Sequence, residues 1–95
     1  MTKKKTDKES ISASLDEVVQ LDKERELQKL ASRIKEFRLT QHSNYEDFAN
    51  KHRIGRSQYF RYEHGEDLRY FTLLRVIRGL GITPREFFSE GFDWD

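Results

Sequence analysis

The sequence predicts an all-α domain of five short helices, and three observations carry that expectation. Apolar residues recur at spacings of three and four rather than two, the period of one helix face. Turn-forming residues are scarce, with one proline and five glycines in 95 residues, too few for many short strands. Capping residues sit where the apolar stripes begin and end. The length fits one domain of the usual ~100–150 residues and excludes a second independent core.

The elements follow in order. Residues 1–13 are polar, charged and free of aromatics, so they read as a flexible tail that cannot bury enough surface to offset ordering entropy. A helical extension is possible over 14–26, where Leu15, Val18 and Val19 precede a charged stretch. The firm pattern is Leu27, Leu30, Ile34 and Phe37, which predicts a helix over roughly 24–39. Thr40 to Asn44 is a polar linker in which Ser43 or Asn44 can cap a short helix ending near His52, with Glu46 and Asp47 placed well for the helix dipole. Arg53 and Ile54 form a turn, Gly55 starts a third helix, and Gly65 ends it as a C′ glycine. Glu66 to Tyr70 reads as a loop. Leu73, Val76, Ile77 and Leu80 mark a fourth helix closed by Gly81. Thr83-Pro84 is an N-cap followed by proline at the first helical position, and the last helix carries Phe87 and Phe88 and stops near Gly91.

Composition excludes several functions. There is no cysteine, hence no disulfide scaffold, thiol nucleophile or cysteine-ligated metal. His42, His52 and His64 lack metal-ligand spacing and read as exposed or capping residues. Adjacent acids such as Glu46-Asp47 and Glu66-Asp67 point apart on a helix. No phosphate loop or Ser-His-Asp set is present, so neither catalysis nor a cofactor, metal or small-molecule substrate is expected. No apolar run approaches the ~20 residues of a membrane span. Lys3, Lys4 and Lys5 lead into polar sequence, unlike a signal peptide, and a soluble cytoplasmic protein is the default.

Charge is close to balanced, 18 basic against 17 acidic residues, but the total conceals a dipole. Residues 32–61 hold Arg33, Lys35, Arg38, Lys51, Arg53, Arg56 and Arg61 against Glu36, Glu46 and Asp47. The acidic surplus lies after residue 61. Positive charge therefore gathers on the middle of the chain, an asymmetry able to orient the domain on a polyanion.

The same region, Tyr45 to Gly65, has the plan of two short helices joined by a tight turn, a helix-turn-helix. At ~100° per residue, Arg56, Ser57, Phe60, Arg61 and His64 share one face of the second helix and Tyr59 and Tyr62 another. The tyrosine face suits packing against Phe48, Ala49 and Ile34. The opposite face suits a DNA major groove, where arginine pairs bidentately with guanine and an apolar ring meets a thymine methyl.

Residues 30–91 resemble the Cro and phage-repressor (XRE-like) helix-turn-helix family. Phe48, Ala49, Ile54, Tyr59 and Tyr62 fill its apolar or small motif positions. Gln58 to Gly65 is similar to its aromatic-Glu-x-Gly signature, and Leu80-Gly81-Ile82-Thr83 to its step into the last helix. The resemblance implies a compact, lambda-repressor-like five-helix fold over 27–92, with the motif at 45–65. It further implies that Arg56, Ser57, Phe60 and Arg61 read base edges. Asn44, Tyr45, Lys51, Arg53 and Arg69 would contact phosphates, and Arg38 and Glu63 would form a structural pair. The motif position usually held by glycine is Arg53, so either Arg53 takes a left-handed conformation or the turn is built differently.

The function expected is sequence-specific binding of double-stranded DNA as a repressor-like transcriptional regulator, acting as a homodimer and without an attached sensor domain. The alternative is a protein-interaction module on the same scaffold, such as an antitoxin-type partner. Leu15 to Val19, Phe92 and Trp94 are its candidate contact residues; Phe92 and Trp94 either pack back on the domain or form an interaction patch.

Overall fold

The computed structural model describes residues 21–94. The tail expected over 1–13 and most of the possible extension over 14–26 lie outside the described residues. Among those described, the chain forms five helices and no strand. They are α1 (Lys23–Leu39), α2 (Tyr45–Lys51), α3 (Arg56–Tyr62), α4 (Tyr70–Gly79) and α5 (Pro84–Phe87). No helix among them is long and apolar enough to cross a membrane.

Each boundary has a local cause. Asp22 is extended and accepts from the Arg25 amide at 3.1 Å, so α1 begins at Lys23 and does not itself run on toward Ser14. Of the two cap candidates before α2 it is Asn44 that caps, its Oδ1 accepting from the Glu46 amide at 2.7 Å. Tyr70, expected in a loop, opens α4 behind Arg69. Thr83 and Glu86 close a capping box around Pro84, the reciprocal arrangement that satisfies two orphan amides.

The last helix is shorter than the sequence suggests, with Phe88 as its cap rather than a member. Arg33 of α1 supplies the reason. Its Nε donates to the Phe87 carbonyl at 2.8 Å and its Nη2 to the Glu86 carbonyl at 2.9 Å. These carbonyls are satisfied from α1 and need no further helical turn.

The core joins all five helices around Ile34, Phe48, Tyr59, Ile77, Leu80 and Phe87, each at most 1% exposed. Burial of one such side chain contributes ~1.5–3 kcal/mol. The four-residue stripe of α4 is buried throughout. The α1 stripe is buried only at Ile34, with Leu30 and Phe37 packed against the core's edge. Arg33 and Arg38 take the remaining buried positions, the first lying 4.4 Å from the Phe37 ring centroid. Phe92 packs back on Phe87 and Phe88 at centroid separations of 5.6 and 4.8 Å. Trp94 stays 67% exposed while its indole N–H donates to Glu26.

Candidate nucleic-acid interface

The turn between α2 and α3 is a Schellman motif with arginine at the left-handed position. Arg53 has φ 56°. The Ile54 amide donates to the Ala49 carbonyl at 2.9 Å and the Arg53 amide to Asn50 at 3.2 Å, the two bonds that define the motif. Of the two ways to build this turn, the left-handed arginine is the one adopted. A non-glycine residue there costs roughly 1–2 kcal/mol. The turn sets α3 against α2, with Phe48 and Tyr59 rings 5.0 Å apart.

That packing fixes which side of α3 faces outward. Tyr59 is 0% exposed and Tyr62 6%, while Arg56, Ser57, Phe60, Arg61 and His64 are exposed. Helix α3 is further held by Arg38, whose Nε and Nη2 donate to the two Glu63 carboxylate oxygens at 2.9 and 2.7 Å. Both side chains are buried. The carboxylate keeps the Arg38 guanidinium more firmly protonated than usual, outweighing the opposing effect of burial. Arg38 Nη1 also donates to the His42 and Ser43 carbonyls, so one guanidinium joins α1, the α1–α2 linker and the end of α3. The Tyr59 phenol lies beside this pair. Burial, reinforced by Glu63, raises its ionisation well above the ordinary range, and it stays a neutral hydroxyl.

The exposed face is a patch built from α2 and α3 together. Phe60 meets the Tyr45 ring, tilted and 5.5 Å away, and stacks on His64 at 3.9 Å. His64 Nδ1 is also 2.7 Å from the Phe60 carbonyl. Tyr45 is thus half-buried and packed on the core's edge. Arg56 pairs with Glu46 at 3.0 Å and Arg61 approaches Glu66 at 3.9 Å. Both contacts are solvent-exposed pairs worth ~0–1 kcal/mol, so they orient the guanidiniums without locking them.

The candidate phosphate residues are distributed differently. Asn44 and Tyr45 stand at the start of α2, beside Arg56 and Phe60. Asn44 already uses its Oδ1 in the cap. Lys51 and Arg53 are at the other end of α2 and are exposed. Arg53 shares a small notch of about 120 Å³ with Gln58, Thr72 and Arg75. Arg69 is the N-cap residue of α4, outside the contacts that join Tyr45, Glu46, Arg56, Phe60 and His64.

Sequence reasoning missed the carboxylates beside the two arginines and the packing of His42 and His52 on Phe48. Glu46 lies ten residues before Arg56, a separation without local periodicity. His52, expected to be exposed or capping, is the C-cap residue of α2 and is also packed on Phe48 at 4.4 Å. Its Nε2 is buried without a hydrogen-bond partner among the described residues. Burial, with help from Lys51 and His42, holds its pKa below the usual histidine value. His42 meets the edge of Phe48 at 6.0 Å. No histidine-acid cluster among the described residues is arranged to hold a metal. Comparison of the chain with protein-family models, curated proteins and solved structures finds no match.

Proposed function

We propose that this chain has a lambda-repressor-like helix-turn-helix fold and binds double-stranded DNA sequence-specifically, as a cytoplasmic, repressor-like regulator of transcription acting as a homodimer. The observation that carries the reading is the division of α3 into two faces. Tyr59 and Tyr62 anchor one side in the core, and the opposite side offers Arg56, Ser57, Phe60 and Arg61 as a group. Guanidiniums match guanine edges, and the Phe60 ring suits a thymine methyl. Asn44 and the amides opening α2, with Tyr45, Lys51, Arg53 and Arg69, would grip the backbone and set register without reading sequence.

A second reading, a protein-interaction module such as an antitoxin-type partner, draws support from Tyr70 and Phe71, which are 67% and 72% exposed. Selection of bound duplexes from a random pool separates the two. A DNA reader enriches a common site, and its binding weakens steeply with salt as counterions are released. No enrichment, and no retardation of any duplex at about 50 mM salt, would overturn the DNA reading.

A further inference from the structure

An open groove of about 630 Å³ runs along α4 to the start of α5. Phe71, Leu74, Ile82 and Pro84 give it an apolar lining, and Arg75 and Arg78 line it too. Both arginines are exposed, and no ion pair among the described residues engages either. None of the lining residues belongs to the exposed face of α3. An apolar floor beside unpaired guanidiniums fits a segment whose apolar stripe carries acids along one edge. Nucleic acid would satisfy the arginines and leave Phe71 and Leu74 in water.

Residues 9–19 of the same chain have that chemistry. Ile11, Leu15, Val18 and Val19 stand at the i, i+4, i+7 and i+8 spacing of a helix stripe. At ~100° per residue Glu9 and Asp16 lie along one edge of that stripe, and no lysine or arginine occurs from residue 9 to residue 22. The segment also starts from a suitable place. Lys23, at the head of α1, lies 3.8 Å from Asp67 in the loop that leads into α4, four residues before Phe71. The four residues from Val19 to Lys23 span at most roughly 14 Å, as do the four from Asp67 to Phe71, and a helix from Ile11 to Val19 rises ~12 Å, matching the ~15 Å of a ten-residue helix such as α4. A tethered segment of this kind needs little intrinsic affinity, because its effective concentration is of millimolar order.

We propose that residues 9–19 dock intramolecularly in the α4–α5 groove, the Leu15–Val19 stripe on Phe71 and Leu74, with Glu9 and Asp16, which flank one edge of that stripe, against Arg78 and Arg75. The contact is independent of DNA reading and stands or falls separately from it.

The test uses the full chain. Because the sequence has no cysteine, Ser14→Cys accepts a single nitroxide label, and amide signals report which residues it approaches. Docking predicts selective loss of intensity at Phe71, Leu74 and Arg78, with the exposed face of α3 spared. Reversing Glu9 and Asp16 to lysine should restore those signals. Adding Arg75→Glu and Arg78→Glu to that variant should bring the loss back. Uniform or absent broadening overturns the proposal, as does failure of the double reversal to restore it. So does broadening seen only when labelled chains are mixed with isotope-enriched unlabelled ones, which would make a second copy the occupant.

Discussion

Arg38 and Glu63 form a buried two-bond pair, 2.9 and 2.7 Å, between the first helix and the end of the third. Removing one partner leaves an uncompensated buried charge, which costs ~3–5 kcal/mol. Glu63→Gln should therefore lower urea-unfolding stability by about that amount. A loss below ~1 kcal/mol, the scale of an exposed pair, would show that the pair does not hold α3.

His52 predicts a pH dependence. Its pKa in the folded chain lies below the ordinary 6.5, chiefly through burial. The unfolded chain therefore takes up a proton first as pH falls. Stability should be fully present above about 6.5 and decline below it, levelling once folded His52 also protonates. Thermal unfolding across pH 7.5 to 5 should show this slope, and His52→Gln should flatten it. An unchanged slope in the variant would assign it to other groups.

Glu26 is held below its ordinary carboxylate value, first by the Trp94 indole N–H and then, against some burial, by Lys29. The stabilising contact is present at neutral pH and lost as pH falls through that lowered value. Trp94 is the only tryptophan, so its emission should shift with a midpoint below that of an ordinary glutamate. Glu26→Gln should abolish the transition.

Arg53 separates stability from binding. Arg53→Gly removes the left-handed penalty at φ 56° and should stabilise the fold by up to ~1 kcal/mol. If Arg53 meets a phosphate, the same change should weaken DNA binding across all sequences and reduce the salt slope by about one. Tighter folding with unaltered salt dependence would remove Arg53 from the interface.

Arg56→Ala and Arg61→Ala should each cost ~1–3 kcal/mol per base contact and relax preference at particular positions of the bound site. Both residues are more than half exposed, so the folded stability should stay nearly unchanged. Site selection with each variant checks this, and identical preferences would exclude them from base reading.

Much of the local structure was legible from spacing. The stripe Leu73, Val76, Ile77, Leu80 and the opposed faces of α3 follow from the helical period alone, since residues three and four apart share a face. The cap at Thr83 was legible for the same reason, and that at Asn44 as one of two candidates with Ser43, because a side chain bonds an amide two or three residues on. The α1 stripe was less so. Leu27 continues the apolar spacing yet is only half-buried, while Arg33, on no apolar pattern, is 6% exposed.

The residue pattern alone thus places the five helices, though not the start of α4 or the end of α5, and sets which side of α3 turns inward, because these depend on contacts within one or two helical turns. The tertiary structure decides how charges are used. Arg33 is admitted to the interior because the carbonyls of Glu86 and Phe87, 53 and 54 residues away, accept its protons. Arg53 holds a left-handed turn because packing of α2 on α3 outweighs its strain. Arg56 meets Glu46, and Phe60 meets Tyr45, only when two helices are laid side by side. Such pairings arise from the geometry between elements, which leaves no periodic trace in a linear sequence.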